Sequence, residues 1–127
     1  MTHLPYSIEL HDSEISSVEI RDGSAVVAFS HAYIHKDGNG YSQCAELIVH
    51  CAKIESSQST YPAKAADGKL KTRLGPYHNL LLLPLATDGN VELKIEFFSG
   101  NELKIIGLGI EVVFTSEPVF VESVSVT

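Results

Sequence analysis

Basic residues are scarce in this sequence. Among its 127 residues, 9 lysines and arginines stand against 16 aspartates and glutamates, which gives a formal net charge of −7. The sequence shows no local basic patch, so we expect no binding to the phosphates of a nucleic acid. An acidic protein of this kind is suited instead to a partner with a basic surface.

Long apolar runs are missing as well. The longest, Leu80–Leu83, continues past Pro84 only to Ala86, whereas a membrane-spanning helix needs about 20 apolar residues. Met1–Pro5 lacks the positive charge followed by an apolar stretch that is typical of a signal peptide. The sequence therefore predicts a cytoplasmic protein that does not bind membranes.

Cysteine is almost absent, and the two that are present, Cys44 and Cys51, are not expected to pair. If both lie on one strand, a rise of about 3.3 Å per residue places them roughly 23 Å apart. A disulfide needs Cα atoms that are less than about 7 Å apart. Two free thiols are typical of a reducing cytoplasm.

The motifs of common enzyme classes are also lacking. The sequence has no Gly-x-Ser-x-Gly elbow, no Walker loop and no dinucleotide fingerprint. Gly107-Leu108-Gly109 lacks the third glycine of that fingerprint, and we expect it to permit a bend or bulge in the sheet. We therefore expect no catalytic residue and no cofactor.

Glycine beside aspartate or asparagine recurs along the chain. These dipeptides supply the positive φ angles of tight hairpin turns, and the segments between them are rich in β-branched and aromatic residues. The turn sites are Asp22-Gly23, Asp37-Gly38-Asn39-Gly40, Asp67-Gly68, Asp88-Gly89-Asn90 and Gly100-Asn101. The pattern predicts one all-β domain over residues 1–127, an antiparallel sandwich or partly open barrel of about eight strands.

Strand register provides a sharper prediction, because a shift by one residue moves every side chain to the other face. We place a two-residue turn at Asp22-Gly23, a loop at Lys36–Gly40 and a three-residue loop at Ser99–Asn101. The opposite pairs that follow are Ile20 with Ala25, Val18 with Val27, Ser16 with Phe29, Phe29 with Leu47, Val27 with Val49, Ala25 with Cys51, Phe97 with Leu103, Ile95 with Ile105 and Glu96 with Lys104. Within each hairpin, the apolar residues of both strands share one face.

One segment, Gln43–Ser56, allows two interpretations. Cys44, Leu47 and Cys51 have helical spacing, and no glycine or proline interrupts the segment. A strand is favoured because the register from Phe29 to Leu47 exists only for a strand. The helix remains the alternative.

A run of leucines near residue 80 forms a second apolar face. A two-residue turn at Asp88-Gly89 places alternate leucines on one face together with two glutamates. The residues of this face are Leu81, Leu83, Leu85, Glu92, Lys94 and Glu96, and the leucines with the two glutamates are the candidate partner-binding residues. Either a second sheet or the N-terminal segment covers the leucines, or the face binds a protein partner or a second copy of the chain, since large exposed apolar areas usually mark interfaces.

The densest cluster of reactive side chains is His11-Asp12-Ser13-Glu14. A carboxylate beside an imidazole can orient its tautomer for acid–base chemistry. Neighbours along a strand point to opposite faces, however, so that His11 and Asp12 need not touch. The structural interpretation is a turn that opens the first strand, with Asp12 bonding to nearby backbone amides.

His31, Tyr33 and His35 would share one face of a strand. We interpret them as lining an open end of the core, where with His11 and Asp12 they would form a cleft for a small ligand. Two histidines four residues apart on a strand are separated by about 13 Å, too far to hold one metal ion. No metal site is therefore predicted.

Two segments show a resemblance to known families. Leu10–Ile15 and Gly109–Glu122, which closes with Glu117-Pro118-Val119-Phe120-Val121-Glu122, together resemble small uncharacterised bacterial β proteins. The first segment also resembles the opening of immunity proteins from polymorphic toxin systems. That resemblance implies a small, acidic, non-enzymatic protein that binds and blocks a toxin, and it implies no particular binding residue.

Three hypotheses for function follow. The first is a protein-interaction module, of the immunity type or a homodimer, that uses the leucine face with Glu92 and Glu96. The second is a small-ligand-binding protein that uses the cleft of His31, Tyr33 and His35. The third is an enzyme built on the histidine–aspartate pair near the N-terminus.

Overall fold

The computed structural model describes residues 5–57 and 60–123, and these form antiparallel strands joined by turns. The described residues contain no helix, and hence none that could cross a membrane. The strands among them are β1 (Ser7–Arg21), β2 (Ser24–Lys36), β3 (Asn39–Val49), β4 (Lys53–Ser56), β5 (Ala63–Thr72), β6 (Gly75–His78), β7 (Leu80–Leu82), β8 (Ala86–Phe97), β9 (Glu102–Phe114) and β10 (Val119–Ser123).

Six of these strands close into a barrel. In the order β1-β2-β3-β9-β8-β5 each strand pairs with the next, and β5 pairs with β1. The pairing of β3 with β9 completes the ring, from Ala45 opposite Phe114 to Val49 opposite Ile110. The other strands attach at the sides: β10 to β3, β4 to β9, β6 to β5 and β7 to β1. The predicted antiparallel all-β fold is confirmed, in its barrel form.

The barrel interior is filled by side chains that alternate along each strand with outward residues. Val27 and Val49 are fully buried there, and Val18 packs half-buried against them. The largest fully buried side chains are Phe29, Ile8, Leu10, Ile15, Ile34, Leu47, Leu70, Leu81, Leu93, Ile95, Leu103 and Ile105. The predicted shared layer of valines therefore exists, and it is the inside of the ring.

The register of the first hairpin is confirmed near its turn at Asp22-Gly23. The confirmed pairs are Ile20 with Ala25 and Val18 with Val27. The prediction is wrong at Phe29, which lies opposite Ile15 and not Ser16, because a bulge in β1 shifts the register. The bulge keeps Ile15 in the core and leaves Ser16 exposed.

The other two predicted registers are shifted by two residues. In the β2–β3 hairpin, a two-residue turn at Asp37-Gly38, both with positive φ, replaces the predicted loop over Lys36–Gly40 and moves the register by one residue. A bulge between Phe29 and Ala32 moves it by one more. The β8–β9 loop takes in residues 98–101. The observed pairs are Ala25 with Val49, Val27 with Leu47, Phe29 with Ala45, Leu93 with Ile105, Ile95 with Leu103 and Glu96 with Glu102. A shift of two keeps the side chains of these pairs on their predicted faces, but the predicted pair of Glu96 with Lys104 is wrong.

The Gln43–Ser56 segment is extended, as the favoured interpretation predicted. It forms the end of β3, a turn and then β4. Cys51 lies in the turn with a φ of 48°, whereas Cys44 lies on β3. Both cysteines are free thiols, as predicted.

The structure corrects the predicted leucine face. β7 pairs with β1 and not with β8, so Leu81 is in the barrel interior with 0% exposure, and Leu85 is buried in the same core. Leu83 packs half-buried against that core. Leu81, Leu83 and Leu85 are therefore core residues and not a partner-binding surface.

Candidate functional site

The outer face of β5, β8 and β9 carries charges arranged in rows across the strands. The register places Asp67, Glu96 and Glu102 in one row and Lys69, Lys94 and Lys104 in the next. A third row consists of Lys71, Glu92, Ile106 and Lys53. Like charges that lie directly opposite one another repel, so the first two rows are each stabilised by the opposite charges of a neighbouring row.

Glu92 and Glu96, which we predicted to bind a partner, form ion pairs with lysines of the neighbouring row. Lys94 Nζ lies 3.5 Å from Glu96 and 3.4 Å from Glu102, and Lys104 Nζ lies 3.7 Å from Glu92. The charge of Glu102, together with that of Glu96, raises the pKa of Lys94. Glu92 and Glu96 thus already contact lysines of their own chain, through exposed pairs that are individually weak.

The third row continues into a groove of about 720 Å³ between the β3–β4 turn and the β5–β6 turn. Three basic side chains line it together with the carboxylate Glu92 of β8: Lys53 from β4, Lys71 from β5 and Arg73 from the β5–β6 turn. Its apolar lining comes from β8 and β9: Val91, Ile106 and Leu108. The fold thus assembles a basic patch that the linear sequence did not reveal.

The groove exists because regular pairing is interrupted on both sides of β9, next to Gly107 and Gly109. On one side the chain turns between β3 and β4, where the Leu108 N–H donates to the His50 carbonyl at 2.8 Å. On the other side β8 bulges. Gly109 pairs with Asp88 and Gly107 pairs with Val91, so two residues of β8 lie opposite the single residue Leu108. A Cβ on Gly107 would lie 2.4 Å from Val49 Cγ1, so this close approach requires glycine. The bulge predicted near these glycines is thus in the paired strand.

The charges of the groove are only partly compensated. Arg73 Nε lies 3.0 Å from Asp88 Oδ1 and donates to Thr87 Oγ1 at 3.1 Å. No carboxylate among residues 5–57 and 60–123 forms an ion pair with Lys53 or Lys71 in the structure. Both side chains therefore offer exposed ammonium groups beside an apolar lining.

The predicted cleft of His31, Tyr33 and His35 is not formed. Tyr33 and His35 are buried beside each other, with ring centroids 5.1 Å apart, on the face of β2 opposite to the core residue Ile34. His35 Nε2 lies 2.7 Å from Glu9 Oε1. His31 contacts Ser42 and lines a different cavity, to which neither Tyr33 nor His35 contributes. The prediction of one open cleft for the three residues is wrong, because two of them are enclosed.

Tyr33 is held by partners from both ends of the chain. Its backbone N–H donates to Ser13 Oγ at 3.0 Å, and its hydroxyl donates to the Glu122 carboxylate. Burial raises the pKa of the Tyr33 phenol, and the hydrogen bond to Glu122 adds to the effect. Sequence reasoning missed Glu122, because nothing in a local pattern links β10 to the buried face of β2.

His11 and Asp12 meet, which the strand pattern did not predict. His11 Nδ1 lies 3.2 Å from Asp12 Oδ1 and 3.8 Å from Glu9 Oε2. The reason is an irregularity of β1 between Glu9 and Glu14, where the alternation of faces is broken. The predicted turn at the start of the first strand is thus a bulge within it.

The bulge also opens a second cavity. About 500 Å³ in volume, it is lined in part by His11, Asp12 and Glu14 of β1 and by His31 of β2. Lys64 and Phe98 complete its wall. Three of the predicted ligand-binding residues therefore meet here, although Tyr33 and His35 do not reach it.

Comparisons with known proteins give no further guide to identity. No family model, no curated protein and no solved structure matches this chain. The resemblance to immunity proteins therefore stays a prediction.

The raised pKa of Tyr33 predicts a specific loss of stability at alkaline pH. The unfolded chain releases the Tyr33 proton near its ordinary pKa of about 10, whereas the folded chain retains it. The contribution of Tyr33 to the free energy of unfolding is therefore complete below about pH 10 and falls as the pH rises above it. Tyr33→Phe cannot ionise but loses the hydrogen bond to Glu122, which costs about 1–2 kcal/mol at neutral pH.

Urea unfolding of both proteins from about pH 8 to about pH 11 measures this effect. The difference in unfolding free energy between the parent and Tyr33→Phe should narrow as the pH rises. A difference that is constant over the whole range would contradict the assignment.

Proposed function

We propose that this protein binds a small organic anion in the groove between the β3–β4 and β5–β6 turns. The observation that carries the proposal is the concentration of charge: three of the nine basic residues of an acidic chain line this one groove. A ligand that pairs a carboxylate, phosphate or sulfonate with an apolar body would satisfy both the ammonium groups and the apolar lining.

The size and shape of the groove support this function. Its volume of about 720 Å³ lies within the range of about 300–1,000 Å³ that is common for small-molecule sites. Leu108 is 56% exposed, and an apolar side chain so placed gains from contact with a ligand. Lys53 and Lys71 reach the groove from opposite ends of the third row, so an anionic group can contact either of them.

The sequence-based proposal of a partner surface formed by leucines and glutamates has less support. Its leucines are in the core, and Glu92 and Glu96 are compensated by lysines. A reducing cytoplasm remains our proposal for the location, and it is supported by the free thiols of Cys44 and Cys51.

Anilinonaphthalene sulfonate, a fluorescent anion with an apolar body, tests the groove. We expect saturable binding of one probe per chain that weakens as salt is added. The double variant Lys53→Gln/Lys71→Gln should bind about three- to tenfold more weakly, because two exposed charges are removed from the site. A fluorescence titration measures both quantities.

The matched control is Lys36→Gln/Lys64→Gln, which makes the same change in net charge away from the groove. This control should bind the probe like the parent. Equal weakening in both double variants would show a general charge effect and reject the groove as the site. Equally tight binding of the uncharged analogue phenylnaphthylamine would remove the electrostatic part of the proposal.

A second function, homodimer formation, is favoured by strand β10. Its side chains Val119, Phe120 and Val121 are 63%, 57% and 46% exposed. Among the described strands β10 pairs with β3 alone, so its other edge presents unpaired backbone groups. Antiparallel pairing of two β10 strands is self-complementary, which is the geometry of a two-fold dimer.

Light scattering at high micromolar concentration tests the dimer. We expect a mass of twice 13.8 kDa for the parent and a monomer for Val121→Lys, because a charge at this edge opposes strand pairing. Ile20→Lys places the same charge on an exposed apolar residue of the β1–β2 hairpin and should leave the dimer intact. A parent protein that is monomeric at this concentration would exclude the dimer.

A further inference from the structure

The geometry points to a binding site for a divalent transition-metal ion, with Zn²⁺ as the representative, formed by Glu9, His11 and Asp12. Each of these residues offers one ligand atom, and the three atoms all lie within 4.8 Å of one another. The set combines one imidazole nitrogen with two carboxylate oxygens, a mixture that suits zinc better than magnesium or calcium.

The distances fit such an ion. Zinc bonds to nitrogen and oxygen are about 2.0–2.1 Å long, which places neighbouring tetrahedral ligands about 3.4 Å apart. His11 Nδ1 lies 3.2 Å from Asp12 Oδ1 and 3.8 Å from Glu9 Oε2. Small rotations of two side chains therefore suffice to bring all three atoms into bonding distance of one ion.

The backbone holds the three ligands in place. In a regular strand, Asp12 would point away from Glu9 and His11. The bulge of β1 brings them to one side, and Asn79 fixes it by accepting the Leu10 N–H with its carbonyl and the His11 N–H with Oδ1, both at 2.8 Å. This arrangement also explains why strand spacing alone predicted no metal site.

A buried side chain behind the ligands orients one of them. His35 is 4% exposed, and its Nε2 lies 2.7 Å from Glu9 Oε1. Because an ionised carboxylate only accepts hydrogen bonds, the imidazole N–H donates here, which leaves Glu9 Oε2 directed towards His11. Such a second partner is characteristic of metal-binding side chains and strengthens ion binding.

Two other histidine–carboxylate pairs among the described residues are less suited to bind a metal ion. His50 with Glu111 and His78 with Asp67 each place an imidazole nitrogen 3.0 Å from a carboxylate oxygen. Neither pair has a third ligand atom nearby among the described residues. The cavity of about 500 Å³ that His11 and Asp12 line would leave room for water or a ligand at a further position of the ion.

Isothermal titration of the tag-free, metal-depleted protein with Zn²⁺ tests the site. His3, which lies outside the described residues, and the exposed Cys51 are first changed to alanine and serine, because each could bind zinc on its own. We expect one ion per chain at micromolar concentration. His11→Gln and Asp12→Asn should each weaken binding by about tenfold or more.

The matched control is His78→Gln, which removes the imidazole from an exposed pair that lacks a third ligand. It should bind zinc like the parent. Circular dichroism and the Tm of the metal-free variants report folding separately, and His11 and Asp12 are exposed enough for both variants to fold. Absence of binding at millimolar Zn²⁺, or equal binding by the parent and His11→Gln, would overturn the proposal.

Discussion

The pairing of β3 with β9 is the constraint on which the rest of the structure depends. It turns a curved sheet into a ring, so that every barrel strand has a partner on both sides and every side chain is either inside or outside. β3 ends at Val49, and the chain then turns and pairs again with β9 as β4. The groove lies at this interruption, and its basic residues come from β4, from β5 and from the β5–β6 turn, which lie on either side of β8 and β9.

The second departure from regular pairing is the bulge of β1, and it has a comparable consequence. A regular strand distributes neighbouring polar side chains over two faces, whereas the bulge collects Glu9, His11 and Asp12 on one side. Buried Ser13 and His35 form hydrogen bonds behind them, so the irregularity is held by specific partners. Both candidate sites of the protein thus occur where the barrel is irregular.

Local chemistry predicted the fold class and the inward faces, but not the long-range pairings. The turn at Asp22-Gly23 follows from its own residues, whereas the register of the second hairpin depends on both the turn at Asp37-Gly38 and a bulge between Phe29 and Ala32. No local pattern indicates that bulge. The pairing of Leu80–Leu82 with the start of β1 and the bond from His11 to Asn79, 68 residues away, have no local signal. For the same reason the sequence identified His11 and Asp12 but neither their contact nor the basic groove.

The most direct test of this account is an NMR measurement of the closure between β3 and β9. Backbone protons of directly opposite residues in antiparallel strands lie close enough for nuclear Overhauser effects. The account predicts such effects between Leu47 and Val112 and between Val49 and Ile110, with slow exchange of the amides that bond across the two strands. Absence of these effects, with β2–β3 contacts intact, would show an open sheet and contradict the account.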